Sequence, residues 1–567
     1  GNKLKSKLNN KNLLSSFIFG ITLLLSFAIG EIYYNSVDGT DFYRYFDYLE
    51  YFRGGVDSPG REQGILYYWF VSLFVKGSRQ FYLVSDWETI YSSAIQISNF
   101  LIYLVGLGGM YTLFKSYLYE HSDIMYTLSI LNFFPPLYGA RLILKPEIMG
   151  FAFLPWIIVM IDKYFDSKEI KYIFYSVPML SLLLTSKGTV AGGTVFILLY
   201  LYAQKLNEID IKHLLYSIAA LIICFILLFI ENNLINGYNI FTHPQSEQYL
   251  NRATTSFIFN LNLSDLFNYP YRNQHANSFI GITLIDTFGD YFERYWDHER
   301  SLFSRNRIEL FNTPMARRWT SISLSFLFFI FSFYKNNKKM VKFNYVYLIG
   351  AVTLLLSAFG LFGLNFNPSK GDTLKTHYYS FALGITFAVL IINFMINRKI
   401  FTKVLITFTS FLLFLFLIGF PKTYTGEYNE NRSYSEVLNS KLESSISCRM
   451  INKLIDMKTD IDSNCLTASR ALCGYYDDFN KPTKSEEGYL IYTPDEYFKP
   501  INLVNENGNV VTVSGYAECL NYQAGGYLHS EVAAWGTTTQ PVNKVMGFIA
   551  IISLLAFIKS RKDAVNG

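Results

Sequence analysis

Long apolar runs recur along this chain of 567 residues, and their recurrence limits its fold more than any other feature. An α-helix needs about 20 apolar residues to cross the roughly 30 Å of hydrocarbon in a bilayer. Twelve runs come near that length: residues 13–33, 91–114, 124–140, 148–164, 172–186, 188–203, 214–230, 319–334, 343–366, 378–396, 404–420 and 542–558. Lipid offers no water to backbone N–H and C=O groups, so such runs must satisfy them internally as helices. Charged residues make up only 16% of the chain, against about a quarter in soluble domains. The 44 tyrosines and 51 phenylalanines suit helix ends lying in headgroup belts. The expected fold class is therefore an α-helical multi-pass membrane protein of twelve spans. Its net charge of +5 is spread over short loops. That pattern points to a lipid bilayer as partner and away from nucleic acid.

Sidedness follows from Lys and Arg in short loops. Lys3, Lys5, Lys7 and Lys11 precede the first run; Lys335, Lys338, Lys339 and Lys342 form a second cluster; Arg398, Lys399 and Lys403 a third; Lys559, Arg561 and Lys562 a fourth. All fall on one side if both termini are cytoplasmic, with Arg317 and Arg318 dissenting. The first run also has the features of a cleaved signal peptide, an alternative to an uncleaved anchor. The run 65–75 is too short to cross, and is expected to lie in the interface with Tyr67, Tyr68, Trp69 and Phe70 at headgroup level.

Three pieces then face the exterior. Residues 1–420 form a polytopic membrane domain with exterior loops 34–90 and 231–318. Residues 421–541 form an exterior module, a small α+β or β domain by its strand-like run 508–516, and residues 542–567 a final span and cytoplasmic tail. Cys448, Cys465, Cys473 and Cys519 all lie in that module, while Cys224 lies in an apolar helix. The four lack metal-ligand spacing, so two disulfides in an oxidising space are expected, with three pairings open.

The residues able to carry chemistry gather on the exterior side. Asp38 and Asp41 follow the first span, and a carboxylate at such a partly desolvated boundary can serve as a general base; a helix cap is the plainer reading. Arg141, Lys145 and Glu147 sit between the third and fourth spans, and Lys187 alone links two more. A lysine there must snorkel or meet an anion. Lys375 and His377 precede the tenth span, with His377 expected to pack on Tyr378 and Tyr379. The long loop adds Arg272 and His275, and then Asp286 and Asp290 as candidate acceptor contacts. Acidic residues on one loop and cations at successive hairpins suit transfer of a sugar from a lipid phosphate. A carboxylate takes the acceptor proton, and Lys or Arg stabilises the departing phosphate.

Several motifs carry a family resemblance. Asp41-Phe42-Tyr43-Arg44-Tyr45 resembles the opening of the first exterior loop in the GT-C superfamily of membrane glycosyltransferases, and Gly64-Ile65-Leu66-Tyr67-Tyr68-Trp69 resembles the aromatic stretch that follows it. Leu184-Thr185-Ser186-Lys187-Gly188 is similar to the family's Lys-Gly hairpin, and Lys375-Thr376-His377-Tyr378-Tyr379 to its late basic-aromatic motif. Phe42 departs from the usual second acidic residue, and the family's Trp-Trp-Asp signature of protein N-glycosylation is missing.

The resemblance implies an inverting transferase using a polyprenyl-phosphate-linked sugar donor. Its acceptor would be a glycan, a lipid or a protein. It would sit in a bacterial inner or plasma membrane with its active face exterior. In that reading Asp41 is the base, with Asp38 its rival. Lys145, Lys187, Arg272 and Lys375 hold donor phosphate, Arg141, Glu147 and His377 position groups, and Asp286 and Asp290 meet the acceptor. No cofactor is assigned, and a divalent cation is left open. Two alternatives stay beside it: a surface-polysaccharide polymerase, and a transporter of an anionic or lipid-linked substrate.

Overall fold

Helices account for most of the described chain in a computed structural model. It describes residues 2–33, 36, 45, 48–49, 51–52, 64–81, 87–230, 258, 278–289, 315–334, 339–358 and 378–418, together with short strand segments between 483 and 530. The helices, in chain order, are α1 (Asn2–Tyr33), α2 (Leu66–Phe81), α3 (Trp87–Ser116), α4 (His121–Leu131), α5 (Pro135–Leu142), α6 (Glu147–Ser167) and α7 (Ile170–Ser186). They continue with α8 (Gly188–Tyr202), α9 (Ile211–Ile230), α10 (Phe279–Ile285), α11 (Met315–Phe331), α12 (Val346–Ala358), α13 (Ser380–Met395) and α14 (Ile400–Ile418). Among the described residues, five stretches are long and apolar enough to cross a membrane: Asn10–Glu31, Tyr91–Ser116, Glu147–Ser167, Gly188–Glu208 and Ile400–Leu417. This is the build of a helical membrane protein. Large apolar side chains stay exposed on the outer helices, as at Phe17 and Leu24 of α1 and Phe401 and Phe408 of α14, where lipid would cover them.

One expected span is broken. The run 124–140 divides into α4 and α5, because Pro135 and Pro136 cannot continue a helix but fit its first turn. The break leaves polar groups inside, and protein partners take them up. The Tyr103 hydroxyl donates to Asn132 Oδ1 at 2.8 Å, and Asn132 Nδ2 donates to Thr22 Oγ1 at 3.2 Å.

The helices alternate direction, which sorts their charged residues into two ends. Glu147 opens α6 and Lys187 links α7 to α8, at one end. At the other, Lys11 of α1 pairs with Glu120 at 2.7 Å, and that hydrogen bond holds the Glu120 carboxyl below its usual range. Asp123 of α4 and Lys403 of α14 form an almost fully buried ion pair at this same end. In the remainder of the chain, Ile501–Val504 pairs antiparallel with Val510–Val513, a strand inside the expected run 508–516. Cys448, Cys465, Cys473, Cys519 and the run 542–558 lie outside the described residues.

Close packing fixes the start of α13. The Phe381 ring lies where a side chain on Gly150 of α6 or on Gly193 of α8 would be; a Cβ at either position would come within 2.7 Å of it. Glycines thus seat one bulky ring between two helices, the usual means of bringing helices together in lipid. Tyr378, three residues earlier, is carried with it.

Candidate functional site

The residues that gather at the first end come from hairpins far apart in sequence. Pro146 precedes α6 and leaves Glu147 as its first residue, where the helix dipole favours a carboxylate. Lys187 is the single residue between α7 and α8, with an extended backbone. Its ammonium group reaches Glu147 Oε1 to form an ion pair, with the Lys187 side chain 10% exposed and that of Glu147 fully buried. The same ammonium lies 4.5 Å from the centre of the Tyr378 ring, and the Lys145 ammonium lies 5.9 Å from it. Lys145 is itself fully buried. Two buried ammonium groups thus flank one tyrosine, and one of them is paired with a buried carboxylate.

The segment leading into α2 is bonded directly to this cluster. Gly64 N donates to Ser186 O at 2.8 Å, one residue before Lys187. No other residue fits at 64, because a Cβ there would sit 2.2 Å from the Thr185 carbonyl oxygen. Helix α2 begins two residues on and turns Tyr67 and Tyr68 inward, both fully buried, while Trp69 and Phe70 stay half-exposed. Two of the four aromatics expected at headgroup level are therefore buried within the protein instead. Tyr67 and Tyr68 lie close enough to Glu147 to feel its charge. Tyr48 stacks on Tyr68 with ring centres 4.2 Å apart, and Tyr45 packs on it at 6.0 Å. The segment that follows Asp41 is thus joined to α2 and, through it, to Glu147.

Arg141 divides its groups. Asn99 Nδ2 donates to the carbonyls of Arg141 and Ile143 at 3.1 and 2.8 Å, and Tyr67 donates to Asn99 Oδ1 at 2.7 Å. This fixes the backbone leading to Lys145. The guanidinium instead enters a box of Phe100, Tyr103 and Tyr138, with centres 5.3, 4.4 and 5.0 Å away, and donates to Ser26 Oγ at 3.2 Å. Nearby, Ser93 Oγ donates to buried Glu31 at 3.2 Å, and Ser36 N to Ser92 Oγ at 2.9 Å.

Asp286 is buried after α10; two residues on, the Phe288 ring packs against Phe134 at 5.5 Å. Asp38, Asp41, Arg272, Asp290, Lys375 and His377 lie outside the described residues. Among the described residues no three His, Cys, Asp or Glu side chains converge as a metal cage would require.

Sequence reasoning passed over Asn99 and Glu31, and it named Tyr67 and Tyr378 in motifs without giving either a role in this site. Asn99 and Glu31 carried a usable signal, since a strongly polar residue inside an apolar run marks function or a buried partner. Searches among protein families, characterised proteins and solved structures find no match to this chain.

Proposed function

We propose that this protein is a GT-C-like glycosyltransferase of twelve spans, moving a sugar from a polyprenyl-phosphate donor to a glycan, lipid or protein acceptor on the exterior face. The observation that carries the reading is the Lys145–Lys187–Glu147 cluster around Tyr378, bonded to the first loop through Gly64. Two buried ammonium groups beside a loop rich in carboxylates are the equipment that departure of a lipid phosphate needs. An ammonium about 4 Å from a phosphate oxygen gains roughly 4 kcal/mol at an effective dielectric near 20, against about 1 kcal/mol in bulk water. Asp41, or Asp38 in its place, would take the acceptor hydroxyl proton as that oxygen attacks the anomeric carbon, inverting it. Lys187 and Lys145, with Arg272 and Lys375, would hold the leaving phosphate, and Glu147 would aim Lys187. The experiment is transfer from a panel of polyprenyl-phosphate sugars by purified full-length protein. Product that depends on both Asp41 and Lys187 supports the reading; its absence across the panel refutes it.

Transport of an anionic or lipid-linked substrate is a second reading, favoured by the broken helix pair α4–α5. Interrupted spans lined with polar groups often surround a transported substrate. Flux into sealed vesicles without covalent change in the substrate would select it.

A further inference from the structure

At the end of the helix bundle opposite Glu147, three lysines from three separate connections converge on one stacked ring pair. Phe165 at the end of α6 stacks on Tyr202 at the end of α8, with centres 5.7 Å apart and planes 23° from parallel. Lys168 and Lys205 each stand 5.1 Å from the Phe165 ring, and Lys342 stands 5.6 Å from the Tyr202 ring. Lys168 is partly compensated by Glu208, to whose carbonyl it donates at 3.1 Å. Lys205 and Lys342 are both half-buried, and neither forms an ion pair among the described residues. The nearby carboxylate Asp162 accepts from Tyr202 at 2.8 Å and from Tyr117 at 3.4 Å, and its charge is shared between Lys342 and Lys205 without a direct ion pair to either. Leu206, which follows Lys205, and Ile211 and Leu215 in the opening turns of α9 expose 49%, 72% and 59% of their surface.

We propose that Lys205 and Lys342, over the Phe165–Tyr202 pair, bind the phosphate headgroup of an anionic glycerophospholipid, with its acyl chains along Leu206, Ile211 and Leu215. Two half-buried ammonium groups that share one neighbouring carboxylate, with neither in a direct ion pair among the described residues, leave room for a further anion, and basic pockets between membrane helices take lipid phosphates. The apolar flank is what selects a lipid over free phosphate. This site is separate from the Lys187 cluster and does not depend on the enzyme reading.

The test uses full-length protein in nanodiscs of phosphatidylcholine with graded phosphatidylglycerol, counting lipids retained in native mass spectra. Wild-type protein should keep phosphatidylglycerol in preference to phosphatidylcholine. Lys205→Gln and Lys342→Gln should each lower that preference about five-fold, whereas the double change to Arg should keep it, which separates loss of charge from misfolding. Lys171→Gln, away from the ring pair and ion-paired with Glu169, should have no effect. Equal preference in wild-type and double-Gln protein would overturn the proposal, as would equal loss in Lys171→Gln. Displacement of the retained lipid by excess inorganic phosphate would show a free-anion site and overturn it too.

Discussion

Lys187 and Glu147 neutralise each other across forty positions of sequence, one from the link between two helices and the other from the first turn of a third. Each is costly alone in so buried a place. Lys187→Ala should therefore destabilise by about 3–5 kcal/mol, since it takes an ion-pair partner from a buried carboxylate. Replacing both, Glu147→Gln with Lys187→Met, should restore most of that stability while leaving donor binding lost. Thermal unfolding in detergent together with donor titration checks this. Full donor binding by the double variant would end the phosphate role of Lys187.

The base on the first loop is tested by Asp41→Asn. Asparagine keeps the size but cannot take a proton, so turnover should fall about 10²–10⁴-fold with donor binding intact. A lost helix cap would cost only about 1 kcal/mol of stability. Normal transfer by both Asp41→Asn and Asp38→Asn would remove general-base catalysis from this loop.

Asn99 holds two carbonyls and one phenol at once. Asn99→Ala should leave these groups unsatisfied, at about 1–3 kcal/mol for each buried group that water cannot reach. Lys145 should then lose its fixed backbone, so weaker donor binding should accompany the lower melting temperature. A melting temperature equal to that of the wild type would show that the three contacts do not hold this backbone.

Gly193→Ala should push Phe381 from its seat and shift Tyr378 with it. Overpacking of this kind costs about 1–3 kcal/mol. Gly193→Ala combined with Phe381→Leu should recover stability, measured by the same unfolding assay; no recovery would place the strain elsewhere.

Orientation is open to direct labelling. Single cysteines at Ser58 and Thr483 should react with an impermeant thiol reagent on intact cells, and one at Asn337 should not. Reaction at Asn337 alone would invert the assignment.

Much of the helical framework was legible, because crossing lipid demands long apolar runs and these stand out whatever they pack against. The run 91–114 falls within α3, and the run 148–164 within α6. The break before Pro135 was also written in the sequence, but a run that is apolar on both sides of it reads as continuous. Lys145, Glu147 and Lys187 could be picked out as charges between apolar helices, and Tyr378 as part of a motif, but not the meeting of that ring with the two lysines. Tyr378 is one of 44 tyrosines, and its place depends on Phe381 meeting glycines in two other helices. Arg141 shows the same limit: its guanidinium is drawn away from Lys145 by Phe100 and Tyr103, about forty residues earlier.

The buried pair of Asp123 and Lys403 has a consequence for biosynthesis. Its two members are 280 residues apart, so the ribosome releases the acidic partner long before the basic one. During that interval α4 carries an uncompensated carboxylate at its entrance, and it must remain hydrated near the surface or be sheltered by the insertion machinery. Arrival of α14 neutralises it and lets the early helices settle. Nascent chains halted before Lys403 should thus remain open to quality-control proteases, and Lys403→Met chains should share that fate even though the substitution makes α14 itself more apolar.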